Sequence, residues 1–159
     1  QLFDNNPNII QYCNRGTSGI DGSTSTAIGH AVVSKKQNLL ITGDLSFFYD
    51  SNALWNNNIP SNFRIIIINN SGGGIFRILP GDKESDNFEK YFETAHNLTA
   101  AHLCNMFGFT YSLANDENSL NKELNTFFNK SNSPKLLEVF TPRKLNDTLL
   151  LDYFKYLVD

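Results

Sequence analysis

Along the chain, short apolar runs alternate with longer stretches of helical period. The runs of strand length are residues 8–13 (NIIQYC), 38–42 (NLLIT), 63–68 (FRIIII), 109–113 (FTYSL) and Lys135–Phe140 (KLLEVF). The IIII segment has no polar alternation, which predicts a central parallel strand covered on both faces. Between the runs, helices are predicted over residues 23–34, where small residues allow close packing, and over a short segment 50–57. A third is predicted over 99–107, from a capping Thr99 to a stop at Gly108. A fourth over 117–130 places Leu120, Leu124, Phe127 and Phe128 on one apolar face, and a fifth over 144–158 closes the chain. Strands alternating with helices predict a three-layer α/β/α domain with a mainly parallel sheet, taken here as one domain over residues 1–159. Residues 69–87 form a connection longer than ordinary loops, a length often associated with function.

Composition narrows the classes. With 40% hydrophobic and 13% aromatic residues, a 159-residue chain can bury one sizeable core. The net charge of -3 and dispersed basic residues argue against a nucleic-acid partner. No apolar run has the length of a membrane span and no signal peptide opens the chain, so the expectation is a soluble, cytoplasmic protein without a membrane span. Cys13 and Cys104 lie in apolar surroundings without metal-ligand spacing and read as buried free thiols. Asn-x-Ser/Thr at Asn69, Asn97, Asn129 and Asn146 is expected by chance in so Asn-rich a chain. The first residues, 1–7, read as the tail of a preceding helix and a turn, so the chain is expected to be a C-terminal piece of a longer polypeptide.

Two predicted strands end in residues suited to holding an ion. Gly43-Asp44 follows the first and Asn69-Asn70 with Gly72, Gly73 and Gly74 follows the second. Ligands of open parallel sheets collect at carboxyl ends of strands. If the strands are neighbours, the Asp44 carboxylate, the Asn70 amide oxygen and a carbonyl of the glycine turn, Gly72, make half of an octahedral Mg²⁺ shell. The glycines would let backbone approach a diphosphate closely. Taken singly, each motif is an ordinary turn; it is their pairing after two strands that carries the argument.

This spacing resembles the diphosphate and metal motif of thiamine-diphosphate enzymes, with Leu45 where most relatives have a third-place glycine. NRGTSGIDGSTSTAIG (residues 14–29), GDLSFFYDSNAL (43–54) and NNSGGGIFRILPG (69–81) together are similar to the 2-succinyl-5-enolpyruvyl-6-hydroxy-3-cyclohexene-1-carboxylate synthases of menaquinone biosynthesis, in their carboxyl-terminal domain. The resemblance implies that Asp44, Asn70 and the Gly72 carbonyl bind Mg²⁺. It implies that Gly43, Leu45, Ser46 and Gly73 line the diphosphate, and that Ser18, Gly19 and Ile20 meet the thiamine rings, Ile20 as the wedge that keeps the cofactor bent. Arg15 matches a clamp on substrate carboxylate, with an ion pair to Asp21 as the alternative, and Ile75, Phe76 and Leu79 an apolar wall. Ser71 replaces a third Asn, at a position where no side-chain ligand is expected.

The implied reaction decarboxylates 2-oxoglutarate on thiamine diphosphate and adds the resulting carbanion to isochorismate, in a homodimer or homotetramer. The activating Glu is expected outside this chain, so the chain alone is expected to be inactive. Another thiamine-diphosphate enzyme, of acetolactate synthase or 2-oxoacid decarboxylase type, is the nearest alternative, and NRGTSGIDG speaks against it. A non-catalytic nucleotide-binding α/β domain is the other, and no Gly-Lys-Ser/Thr or Gly-x-Gly-x-x-Gly fingerprint stands at a strand-helix junction. His30 and His102 read as ordinary helix positions, and His96, after the long loop, as the histidine nearest the substrate.

Overall fold

A computed structural model describes residues 6–14 and 16–157. Its sheet has four parallel strands, β1 (Asn38–Gly43), β2 (Phe63–Asn69), β3 (Thr110–Ala114) and β4 (Lys135–Phe140), in the order β1-β2-β4-β3. The helices are α1 (Ser23–Val33), α2 (Asp44–Tyr49), α3 (Ala101–Phe107), α4 (Glu117–Phe127) and α5 (Asn146–Tyr156), with 3-10 turns at Ser51–Trp55 and Gly74–Ile78 and a π-helical turn at Phe88–Glu93. The α/β reading is borne out.

β2 is central, as its unbroken apolar run requires. Ile65 and Ile67 face a core with Ile28 and Ala31 of α1, Phe47 of α2, Leu54, and Ala100 and Cys104 at α3. The opposite face packs Ile66, Leu137 and Val139 against Leu120, Leu124 and Phe127 of α4. That second layer stops short of β1, where Leu39 and Ile41 stay exposed. Phe128, expected on the buried face of α4, is exposed and meets the edge of Phe127. The helix has ended by then, and Phe128 no longer follows its period.

Buried polar groups fix the helix ends. Arg64, fully buried in β2, donates to the carbonyls of Ser61, Phe63, Phe127 and Asn129, two of them at the end of α4 where carbonyls lack helical partners. Burial lowers its pKa. The predicted helix 50–57 is corrected: α2 ends before it, at Tyr49, only the 3-10 turn Ser51–Trp55 falls within it, and the Asp50 carboxylate between them accepts from Ser25 N–H and Ser25 Oγ, both at 2.6 Å, in the first turn of α1. This is a long-range cap. Asp50→Ala is expected to cost about 1–2 kcal/mol, read as a lowered urea midpoint at unchanged slope.

Other expectations are corrected. Residues 8–13 form no strand. They are exposed outside the ladder, and an apolar run becomes a strand only where an edge pairs with it and a layer covers it. Cys13 there is exposed, while Cys104 is buried as expected; both are free. Burial pushes the Cys104 thiol up to about 12, leaving it protonated and unreactive at neutral pH. The cap position falls on Ala100 rather than Thr99, but Thr99 Oγ1 accepts from Ala101 N–H at 3.3 Å and so serves the first turn of α3. The Ala100 N–H is taken by both oxygens of Glu138, at 3.2 and 3.1 Å, from strand β4. Gly108 ends α3 in the left-handed conformation, φ +74°, as predicted. No helix among the described residues is long and apolar enough to cross a membrane.

Candidate functional site

Because β1 and β2 are parallel neighbours with Gly43 opposite Ile68, their carboxyl ends open side by side. Asp44, the first residue of α2, is therefore held against the turn that follows β2. It is buried. Its Oδ1 accepts from Leu45 N–H at 2.7 Å and its Oδ2 from Gly72 N–H at 3.1 Å. The structure thus ties Asp44 to the turn that carries Asn70 and Gly72.

Asn69 shapes that turn from within. Its Oδ1 accepts from Ser71 N–H at 3.0 Å, while Nδ2 donates to Leu98 O at 3.1 Å and to Glu138 Oε1 at 2.7 Å. Ser71 follows at φ +63°, leaving Asn70 half-buried at the opening. Glu138 is itself fully buried, and its Oε2 takes the hydroxyls of Thr99 and Tyr111 at 2.7 and 2.8 Å. Burial, with the bond to Glu138 acting in the same direction, pushes the Tyr111 phenol up to about 12. Sequence reading took Glu138 only as a strand residue; an acid inside KLLEVF, a run otherwise apolar after its first residue, was the available signal.

The glycines are needed for close approach. A Cβ on Gly72 would lie 2.8 Å from the Glu93 carbonyl, and one on Gly74 would lie 2.5 Å from Asn70 Nδ2. Gly73 N–H donates to that same Glu93 carbonyl at 2.6 Å. The Glu93 side chain, equally buried, accepts from Arg77 Nε at 2.5 Å and Nη2 at 2.6 Å. Arg143 reaches it at 3.5 Å and Glu89 at 2.5 Å. The hydrogen bonds to Glu93 raise the Arg77 pKa against the opposing effect of burial. Arg77 and Glu93 were both missed in the sequence, being far apart in a stretch without periodicity.

Ile75 and Phe76 stand exposed on the Gly74–Ile78 turn that Arg77 anchors, with Leu79 exposed just after it; Phe76 meets the edge of Phe92. Ser46 Oγ donates to the carbonyl of Ile20 at 2.6 Å, tying the segment 16–22 to α2. Ile20 is exposed there, between Ser18 at φ +59° and Gly22 at φ +77°. A Cβ on Gly19 would meet Asp21 Oδ1 at 2.6 Å. Arg15 lies outside the described residues. His102 and His30 are exposed on α3 and α1. His96, by contrast, reaches Asp44, with Nε2 at 3.3 Å from Oδ2.

The donors that converge are hard oxygens and main-chain N–H groups. Among the described residues no three His, Cys, Asp or Glu side chains cluster to hold a metal. One carboxylate with neutral oxygens suits a cation that completes its shell with phosphate and water. The Gly72 carbonyl accepts from Gly74 N–H at 3.0 Å and keeps its second lone pair. These residues fit a Mg²⁺-diphosphate group.

The parallel sheet with a site at its strand ends defines a cofactor-binding α/β domain, and the chain belongs to the thiamine pyrophosphate enzyme family, whose C-terminal TPP binding domain model matches residues 2–139. Three relatives within that family share a name. The 2-succinyl-5-enolpyruvyl-6-hydroxy-3-cyclohexene-1-carboxylate synthase of Christiangramia forsetii is 62% identical over 157 residues, covering 99% of this chain and 27% of that protein. The synthase of the same name from Flavobacterium psychrophilum is 60% identical over 157 residues, with 99% and 28% covered. That of Bacteroides fragilis is 43% identical over 159 residues, with 99% and 29% covered. The chain therefore spans between 27% and 29% of the length of these relatives. The resemblance read from the three sequence motifs is borne out.

Proposed function

We propose that this chain is the diphosphate- and Mg²⁺-binding domain of a synthase that releases carbon dioxide from 2-oxoglutarate and adds the remaining four-carbon unit to isochorismate, in menaquinone biosynthesis. The observation that carries the reading is the Gly72 N–H to Asp44 Oδ2 bond, which ties Asp44 to the turn bearing Asn70 and Gly72. The names of relatives up to 62% identical support the choice of reaction. A homodimeric or homotetrameric, cytoplasmic enzyme is part of the proposal.

Thiamine diphosphate, when bound, supplies the electron sink for decarboxylation. This chain's residues bind and orient. Asp44, Asn70 and the Gly72 carbonyl would hold Mg²⁺, with Asp44 as the charged ligand. Gly43, Leu45, Ser46 and Gly73 would line the diphosphate, and Ser18, Gly19 and Ile20 would meet the ring system. A β-branched Ile20 is stiff at χ1 and suits a wedge. Ile75, Phe76 and Leu79 would exclude water on the substrate side, and Arg15 would clamp a substrate carboxylate through a planar two-pronged contact.

The test is calorimetric titration of the chain with thiamine diphosphate and with ATP, each with and without Mg²⁺. Mg²⁺-dependent binding of thiamine diphosphate that is lost in Asp44→Ala is the expected result. Equal binding by wild type and Asp44→Ala, or preference for ATP, overturns the site assignment. The isolated chain is expected to show no 2-oxoglutarate decarboxylation above the Asp44→Ala control, because no carboxylate of this chain is assigned to activate the cofactor.

A further inference from the structure

The buried histidine beside Asp44 has a role that the metal motif does not include. His96 lies between the π-helical turn and α3, with a side chain about nine-tenths buried. Its Nδ1 accepts from Leu98 N–H at 3.1 Å, so Nδ1 keeps its lone pair and the ring proton sits on Nε2. That Nε2–H has no well-aligned partner among the described residues, although Asp44 Oδ2 is 3.3 Å away. Phe48 closes the ring from the side, edge-on with centroids 5.6 Å apart. The main chain of the same residue donates from its N–H to Ser71 O at 3.1 Å. One residue thus touches both metal motifs, the turn through its backbone and Asp44 through its ring.

Resting on the function proposed above, we infer that His96 is a positioning residue for Asp44, with Nε2–H and Gly72 N–H together occupying Oδ2. The reason is lone-pair counting. A carboxylate oxygen has about two acceptor sites. Oδ2 accepts from Gly72 N–H and has His96 Nε2 3.3 Å away, out of line until the ring or the carboxylate turns slightly, whereas Oδ1 has only Leu45 N–H. Oδ1 is therefore the oxygen left to coordinate Mg²⁺, and His96 keeps the carboxylate from rotating to exchange the two. Partners of this kind behind a metal ligand commonly set affinity by 10–100-fold. The ring does not touch the metal, and its contribution is orientation.

The experiment has two arms. In the metal-free chain, long-range ¹H–¹⁵N spectra of the imidazoles are expected to show His96 as the Nε2–H tautomer; an Nδ1–H tautomer overturns the inference whether or not any metal binds. In the second arm, Mg²⁺ is titrated in the presence of thiamine diphosphate against wild type, His96→Gln, His96→Asn and His96→Phe, with melting temperatures measured alongside. Gln carries its amide nitrogen close to where Nε2 lies, whereas Asn mimics Nδ1 and Phe has no donor. Apparent Mg²⁺ affinity is expected to fall roughly 10-fold or more in His96→Phe and His96→Asn and to stay within about 3-fold in His96→Gln. Unchanged affinity in His96→Phe, or equal losses in Gln and Phe variants of matched melting temperature, overturns it. If wild type and Asp44→Ala respond alike to Mg²⁺, the site assignment itself fails, and the imidazole spectrum still judges the tautomer.

Discussion

Glu93→Ala is expected to destabilise the fold by about 3–5 kcal/mol, a large share of the 5–15 kcal/mol typical of a domain. Glu93 is fully buried and takes two hydrogen bonds from Arg77, whose side chain is only 5% exposed. Removing the acid leaves the Arg77 guanidinium buried over the Phe88 ring, with no carboxylate of its own and Arg143 beside it. The pair as a whole is worth less than this loss. Its desolvation offsets much of its attraction, so Arg77→Met with Glu93→Leu is expected to be less destabilising than Glu93→Ala alone. Chemical denaturation of the three variants checks this, and a double variant weaker than the single one would contradict the buried-charge account. A local consequence should accompany it. The Gly73 N–H to Glu93 carbonyl bond and the tight Gly72 contact both depend on where residue 93 sits. Hydrogen exchange in residues 72–79 should therefore rise in Glu93→Ala before global unfolding does.

The second large effect is expected at Asn69, which is 1% exposed with its amide nitrogen 2.7 Å from Glu138 Oε1. Asn69→Asp sets a second carboxylate against Glu138 and removes a donor from the Leu98 carbonyl. Two carboxylates this close cannot both ionise, so the folded variant must retain one proton between them. A folded-state proton held more tightly than in the unfolded chain gives stability that is present below the unfolded carboxylate range and lost as pH rises. The penalty for Asn69→Asp should accordingly be small near pH 4 and reach several kcal/mol near pH 8. Adding Glu138→Gln restores one donor to the pair and should recover part of the loss at the higher pH, since Asn69→Asp still accepts from Ser71 N–H. A penalty independent of pH, or no recovery in the double variant, would show that the two side chains do not share this contact.

Much of the site was legible because it is carried by short-range chemistry. Gly43-Asp44 and Asn70 with its glycines stand next to the strands that present them, and apolar runs announce those strands. The uninterrupted IIII run marked β2 as an interior strand, but its pairing with β1 was only a condition of the sequence argument, and the fold decided it. Helices α3 and α4 were legible from local signals, one from Gly108 and the other from its apolar face. The run at 8–13 misled. Its apolar composition is that of a strand, yet a strand exists only by virtue of a paired edge, and composition does not contain the edge.

What the sequence by itself determined is the class of domain and the identity of the residues at the strand ends, since periodicity and turn chemistry act over a few residues. The tertiary structure decided which groups support them. Glu138 reaches Asn69 across 69 positions, Asp50 reaches Ser25 across 25 and Arg77 reaches Glu93 across 16. His96 meets Asp44 only because β1, β2 and the segment before α3 end at the same side of the sheet. These contacts hold buried charges and amides whose partners have no local pattern. Burial makes an unpaired polar group costly, and only the packed fold determines which distant partner satisfies it.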